Sequence, residues 1–309
     1  MKCLVTGAAG FVGSNLAIKL QELGHDVTAL DNFSTGNRAH LAAFEGRVLE
    51  ANVADAIPPS GHYYDVIFHQ AAITDPRYEK SSELLSQNLA GFSRMLALAK
   101  AQGARLIYAS TASLYGNGPA PQSEDQQKDI TSSYALSKLI GDEMASHHFR
   151  DMAIVGLRYF NVFGPHEEFK GRAASMVFHL AQQMLAKRRP RIYRFGEQKR
   201  DHVYVKDCVA ANLKALDAPS GVYNVGTGEA TTFNELVAIL NRCLGTSYEP
   251  EWLDMPHDPA TYQMNTQADR TRAKRLLKFE TAYSTPDGIA DYVSSYLIPA
   301  WHRTHNVPT

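Results

Sequence analysis

Cysteine is scarce in this chain of 309 residues: Cys3, Cys208 and Cys243 stand far apart, and no C-x-x-C pair occurs. An odd count at wide spacing argues against a disulfide framework or a zinc site and fits a reducing compartment. Net charge is also missing. Lys plus Arg number 31 and Asp plus Glu 32, giving −1 overall, so the chain exerts no global pull on nucleic acid or on an anionic membrane. No apolar run approaches the ~18 residues that a bilayer span needs. The opening MKCLVTGAAGFVGSN breaks into glycines before any signal-peptide core develops, so the expected location is the cytoplasm. Clusters with consistent metal-ligand spacing are lacking too: His147–His148, His166 with Glu167–Glu168, and His257–Asp258 read as surface or supporting residues, and no metal is expected. The basic run of Lys187, Arg188, Arg189 and Arg191 reads as a solvated helix end.

What is present is a rhythm. Short runs rich in Val, Ile and Leu alternate with amphipathic stretches of helical length, the pattern of a parallel sheet covered on both faces. Strands are expected near Lys2–Thr6, Asp26–Leu30, Val66–His69, Leu106–Ala109 and Ile154–Tyr159, with helices near Phe11–Leu23, Ser82–Ala101 and Ser132–Phe149. After Tyr159 the rhythm loosens into a Gly/Pro-bearing loop through Gly171 and a helix at about Ala173–Ala186. The fold class is therefore α/β, a Rossmann-type doubly wound parallel sheet with a smaller C-terminal α+β lobe. Residues 1–160 form the first domain, with 202–226 returning to it; 161–201 and 227–309 form the substrate lobe.

Within that frame, TGAAGFVG sets Gly7, Gly10 and Gly13 between a strand and a helix, where backbone amides and the helix dipole suit a pyrophosphate. Asp31 closes the next strand ~20 residues later, placed to accept hydrogen bonds from an adenosine ribose. It favours NAD over NADP, although Arg38 is near enough to offset the charge of a 2′-phosphate. Asn52 and Asp55 follow the next apolar patch, either beside an adenine or in a solvated turn. Tyr134 and Lys138, four apart in a helical segment, share one face, and the ammonium is expected to lower the tyrosine's pKa toward the working range. Thr111 ends a buried strand, positioned to bind the same substrate oxygen.

TGAAGFVGSN, DNFSTG, HQAA, YASTASLYG, YALSK, RYFNVFGP, RDHVYVKD and YNVGTG together resemble the extended short-chain dehydrogenases/reductases over nearly the whole chain. The resemblance implies NAD or NADP, a nucleotide-diphosphate sugar as substrate, a homo-oligomer, and catalysis by Thr111, Tyr134 and Lys138. It assigns cofactor contacts to Gly7, Gly10, Phe11, Val12, Gly13, Asp31, Asn32, Arg38, Gln70, Ala71, Ala72 and Asn88, with Tyr134 and Lys138 shared. Dehydratases of this family carry an acidic pair after the active-site Thr. Ala112 and Ser113 stand there instead, which favours epimerisation by reversible hydride transfer. GPHEEFKGRAASMVFHL, QKRDHVYV and TYQMNTQAD are similar to the ADP-glyceromanno-heptose 6-epimerase subfamily. That similarity implies Lys170 as a second acid/base and Asn161, Val162, His179, Arg200 and Tyr262 as substrate contacts, with Arg194 also suited to a diphosphate. Arg172 departs from the pattern, replacing a small residue, and no clear second basic residue for NADP stands between Asp31 and Asn52. A UDP-hexose 4-epimerase is the nearest alternative, and a dinucleotide-sensing regulator without catalysis a remote one.

Overall fold

The computed structural model describes residues 1–55, 62–255 and 263–305. Its centre is a sheet of seven parallel strands: β1 (Lys2–Thr6), β2 (Asp26–Asp31), β3 (Arg47–Glu50), β4 (Val66–His69), β5 (Arg105–Thr111), β6 (Ile154–Tyr159) and β11 (Gly221–Val225). They lie in the order β11-β6-β5-β4-β1-β2-β3. A parallel sheet buries both faces, so its strands read as continuous apolar runs. Leu4 shows the register: it sits between Thr28 of β2 and Ile67 of β4. Alternate residues feed different cores. Cys3 and Val5 join Leu16 and Leu20 of α1 (Phe11–Glu22), together with Cys208 and Ala211 of α5 (Val205–Lys214). Leu4, Leu30, Ile67 and Leu106 join Phe92 and Met95 of α2 (Ser81–Gln102) and Ala145 of α3 (Ser133–Ser146).

Because β1 lies between β2 and β4, successive connections leave it in opposite directions. The resulting crevice at the strands' carboxyl ends is where an open α/β sheet receives a ligand.

The chain leaves this sheet at Tyr159 and enters β7 (Asn161–Phe163), which pairs with β10 (His202–Tyr204) rather than extending the main sheet. Between them run a 3₁₀ turn (Glu168–Ala173), α4 (Met176–Leu185), β8 (Arg191–Tyr193) and β9 (Lys199–Arg200). The helix expected at Ala173–Ala186 is α4, which starts later, at Met176. Gly171 takes φ 54°, Ala174 and Ser175 are extended, and the Ser175 hydroxyl caps α4 by accepting from the Phe178 amide. After α5 and β11 come β12 (Thr231–Thr232), α6 (Phe233–Leu244), β13 (Glu251–Leu253), α7 (Thr285–Tyr292) and α8 (Ile298–His305). Thr232 and Glu235 close a capping box on α6. α4, α6 and α7 pool Val177, Leu180, Leu236, Leu240, Ile289 and Tyr292 in a third core, that of the second lobe. The helical lobe is trimmed by strand pairs β12-β9 and β13-β8.

His202 crosses this region fully buried, its ring edge against Phe163 and neither nitrogen hydrogen-bonded. Burial lowers its pKa to about 3, and that of buried His69 on β4 to about 3 as well. An imidazole neutral in the fold takes up its proton in the unfolded chain near pH 6.5, so the stability it contributes is present above 6.5 and lost as pH falls toward 3. Each such histidine tilts stability by about 1.4 kcal/mol per pH unit inside that window. His202→Phe should keep the core and flatten the decline by about 2 kcal/mol between pH 7 and pH 5, the 1.5 pH units below 6.5 at that slope; urea unfolding of both proteins at the two pH values measures it, and equal declines would contradict the assignment.

Candidate functional site

The glycine turn is shaped by contact before it can be shaped by a ligand. Gly7 has φ 65°, and a Cβ there would stand 2.7 Å from the Ala71 backbone just beyond β4. A Cβ on Gly13 would meet the Gly7 carbonyl oxygen at 2.1 Å. Glycine is therefore required at both positions. Helix α1 starts at Phe11 with no side chain capping its first amides, so those of Phe11, Val12 and Gly13 form an end suited to an anion. Asp31, buried at the end of β2, accepts from the Ala9 amide at 2.8 Å and the Phe33 amide at 2.7 Å. It fastens the glycine loop to β2 while each carboxylate oxygen keeps a lone pair for a further donor. Asn32 turns its side chain onto Ser34. These features fit a dinucleotide: a backbone cradle for phosphates, and a carboxylate one strand away for a ribose.

Arg38 departs from its expected freedom. Its guanidinium lies 3.9 Å from the Phe33 ring centroid and is ion-paired with Glu50, which partly cancels the charge it would offer a 2′-phosphate. Asn52 accepts from the Ala54 amide and donates to Asp55 and Gln87, so Asn52 and Asp55 form a capped turn.

On the other side of the crevice, hydrogen bonds immobilise the loop after β4. Thr6 Oγ1 pairs with His69 Nδ1 at 2.8 Å and accepts from the Ala71 amide at 3.3 Å. Gln70, Tyr159 and Asn212 form a polar triangle beneath it. Asn88 accepts from the Ile73 amide, donates to the Ile73 carbonyl and donates to Ser137 Oγ, stitching the loop past Ala72 to both α2 and α3. Ser137 and Asn212 escaped sequence reasoning. Ser137 lies inside the YALSK segment, which was a usable signal, whereas Asn212 is 142 residues from Gln70 and announces nothing.

Ser132 caps α3 through the Ala135 amide, which places Tyr134 in the helix's first turn. Thr111, ending β5, stands close enough to the Tyr134 phenol to lower its pKa. Thr111 Oγ1 accepts from the Ser113 amide and donates to Ser113 Oγ, both at 3.1 Å. Lys138 donates from Nζ to the Ala109 carbonyl at 2.8 Å. Thr111, Tyr134 and Lys138 thus converge where β5 meets α3. Their electrostatics correct one expectation: burial pushes the Tyr134 phenol up to about 12, opposed by the Thr111 hydroxyl, rather than the lysine drawing it down. Burial also brings the Lys138 amine down to about 8, against the pull of Asp142. Desolvation outweighs the mutual interaction of the pair.

The second lobe brings Lys170 to the glycine turn, its Nζ 5.3 Å from the Phe11 ring centroid. Burial lowers its pKa, with Glu167 and Asp75 opposing. Asn161 accepts from Thr266 at 3.1 Å, and Val162 packs into both neighbouring cores. His179 is half-buried on α4, and burial lowers its pKa, with the nearby Arg172 backbone opposing. Arg200 lies 5.8 Å from the Phe233 ring and donates to the Lys199 carbonyl. Arg194 is paired with Asp254 at 3.2 Å. Tyr262 lies outside the described residues. Among the described residues no group of three or more His, Cys, Asp or Glu side chains converges on a metal site.

Residues 3–226 match the model of the NAD dependent epimerase/dehydratase family. The ADP-L-glycero-D-manno-heptose-6-epimerase of Thiobacillus denitrificans is 31% identical over 95% of this chain and 98% of its own. The crystal structure of the enzyme of that name from Helicobacter pylori superposes with TM-score 0.88 at 37% identity, covering 97% of this chain and 96% of its own. A UDP-glucose 4-epimerase from Thermotoga maritima, solved with UDP-glucose, gives TM-score 0.89 at 29% identity, covering 97% and 99%.

Asp31→Ala should weaken NAD at least ~10-fold, the scale of a lost hydrogen bond to a charged group, and NADP less, since only NAD presents a free 2′-hydroxyl. Calorimetric titration with both dinucleotides decides it; equal losses for the two would refute the ribose contact.

Proposed function

This chain belongs to the NAD dependent epimerase/dehydratase family, and on that footing we propose that it is an ADP-glyceromanno-heptose 6-epimerase. The carrying observation is Lys170 in its turn of the second lobe, brought against Phe11 at the head of the cofactor helix, within a chain that matches heptose epimerases along nearly its full length. Inverting a carbinol without turning the sugar over calls for a proton-transfer group on each face. Tyr134 serves one face and Lys170 the other in this reading.

When bound, NAD or NADP supplies a hydride acceptor beside the sugar that returns the same hydride, so no net redox change occurs. The protein's own work is proton handling and orientation. Thr111 Oγ1, held by Ser113, orients the carbinol oxygen, and the Tyr134 phenol exchanges its proton. A phenol raised to about 12 keeps its proton at neutral pH, so little phenolate is available and the positive charge of Lys138 must favour it during turnover. Lys138 is tethered to Ala109, within reach of that task. Lys170, a lysine with a lowered pKa, is suited to give and take a proton opposite.

Asn161, Val162, His179 and Arg200 are proposed to hold the nucleotide sugar; Thr111, Tyr134, Lys138 and Lys170 to act on it. Residues 1–160 with 202–226 are taken as the dinucleotide domain, and 161–201 with 227–309 as the substrate lobe. A cytoplasmic homo-oligomer without nucleic-acid or membrane partners completes the proposal; no helix among the described residues is long and apolar enough to cross a membrane. The resemblance to UDP-glucose 4-epimerase keeps a UDP-hexose as the second reading.

Purified protein should interconvert the two ADP-heptose epimers, followed by chromatography. Tyr134→Phe should cost at least ~10²-fold in turnover with dinucleotide affinity intact. Lys170→Met should suppress epimerisation to a similar degree and leave dinucleotide binding unchanged. Activity on a UDP-hexose with none on either heptose would replace the substrate assignment.

A further inference from the structure

Lys170 sits in a short 3₁₀ turn, beside a glycine in the left-handed region, and such a turn does not hold a long side chain in place by itself. Its neighbour Arg172 reaches out of the lobe. The Arg172 guanidinium donates from Nε to Asp75 Oδ2 at 2.9 Å and from Nη2 to the Arg77 carbonyl at 2.9 Å. Arg77 answers with Nη2 to the Arg172 carbonyl at 2.7 Å, and its Nε lies 3.5 Å from Asp75 Oδ1. The Arg77 amide also donates to Asp75 Oδ1 at 2.9 Å. Two arginines therefore exchange carbonyls across 95 residues of sequence, with one carboxylate between them.

The pieces of chain so joined are informative. Asp75 and Arg77 continue the loop that starts at Gln70, Ala71 and Ala72, whose Ile73 backbone is pinned by Asn88. Residues 168–173 carry Lys170. The clasp thus ties the turn bearing the second acid/base to the loop bordering the cofactor. The Asp75 carboxylate, like that of Glu167, is near enough to Lys170 to favour its ammonium against burial.

We propose that Arg172, Asp75 and Arg77 are positioning residues that hold the Lys170 turn against the cofactor lobe and so set where the Lys170 amine meets the reacting carbon. The proposal rests on the role given to Lys170 above. Exposed ion pairs contribute little to stability, and Arg172 is 57% exposed, so removing the clasp should leave the fold intact while freeing the turn. A reacting group displaced by about 1 Å can cost ~10²-fold in rate.

Arg172→Ala and Asp75→Asn should each lower kcat on the sugar the wild type converts by ~10- to 100-fold, with KM and dinucleotide Kd unchanged. Because the residues act as one unit, the double variant should be no slower than the worse single. Losses that multiply, or a raised KM at constant kcat, would overturn the proposal. A readout independent of substrate accompanies these: labelling of Lys170 by an amine-reactive ester, followed by peptide mass spectrometry, should be several-fold faster in both variants than in the wild type. Unchanged labelling would overturn the clasp even with a wild type inactive on every sugar tried. Wild-type inactivity on ADP-heptoses with accelerated labelling in the variants would overturn the substrate reading and uphold the clasp.

Discussion

The close approach of Gly7 to Ala71 is the constraint on which the site depends. The ends of β1 and β4 are adjacent strands of one sheet, and a Cβ on Gly7 would stand within 2.7 Å of the Ala71 backbone. That proximity lets Thr6 bind the His69 ring and the Ala71 amide at once, so the cradle on β1 and the loop after β4 move as one piece. Asp31 extends the same piece to β2 through Ala9, and Asn88 extends it to α3 through Ser137. The glycine turn, the Asp31 carboxylate and the helix carrying Tyr134 are joined through backbone and buried hydrogen bonds. A preorganised site needs such support, since a group held loosely loses the advantage of its chemistry.

Electrostatics in the crevice follow from the same burial. Tyr134 is driven toward its neutral form and so is Lys138, each by loss of water. Left to itself, such a pair would be poor at moving protons. Asp142, one helical turn beyond Lys138, favours the ammonium but is itself committed to Arg158 at 2.8 Å and to the Tyr108 phenol at 3.0 Å. Arg158 goes on to Tyr115, whose phenol donates to Asn224 of β11. The buried ion pair therefore braces β5, β6 and β11 beneath α3, and its carboxylate has little charge to spare. Removing one partner would leave the other buried and uncompensated, which costs far more than the pair contributes.

How much of this was legible depended on whether a residue's role is local. Strands β1, β4 and β6 begin and end where the apolar runs do, because a strand buried on both faces can hardly be anything else. The glycine turn and the Tyr134–Lys138 pair were legible for the same reason: each is a motif whose geometry is fixed by neighbours in sequence. The start of α4 was not, since helical periodicity in Ala173–Ala186 outvoted the Ser175 cap. Nor was the raised phenol of Tyr134, because desolvation is a property of everything packed around a side chain. Arg172 stood out in sequence as a departure. Its partners, Asp75 and Arg77, could not be foreseen from spacing.

Asp201 draws the two lobes together, and it qualifies what the RDHVYV segment means. Its carboxylate is buried and accepts four hydrogen bonds: the Thr227 amide and hydroxyl on Oδ1, the Gly228 and Ala268 amides on Oδ2. Thr227 and Gly228 belong to the turn after β11, the last strand of the main sheet, while Ala268 belongs to the chain that follows β13. Asp201 itself separates β9 from β10 and, through its carbonyl, accepts from the Asn161 amide at the entrance to the second lobe. One residue thus fixes the exit from the sheet, the turn after its last strand and the backbone just after Arg200. A motif that reads as substrate contact is at the same time the knot of the fold, which is why Arg200 can be held in place beside Phe233 on a strand of two residues. An apolar substitution of Asp201 would strand the Thr227, Gly228 and Ala268 amides at a cost of about 1–3 kcal/mol each, while the Thr227 hydroxyl would keep the Glu229 carbonyl, and the consequence would be loss of the lobe's attachment before any change in chemistry.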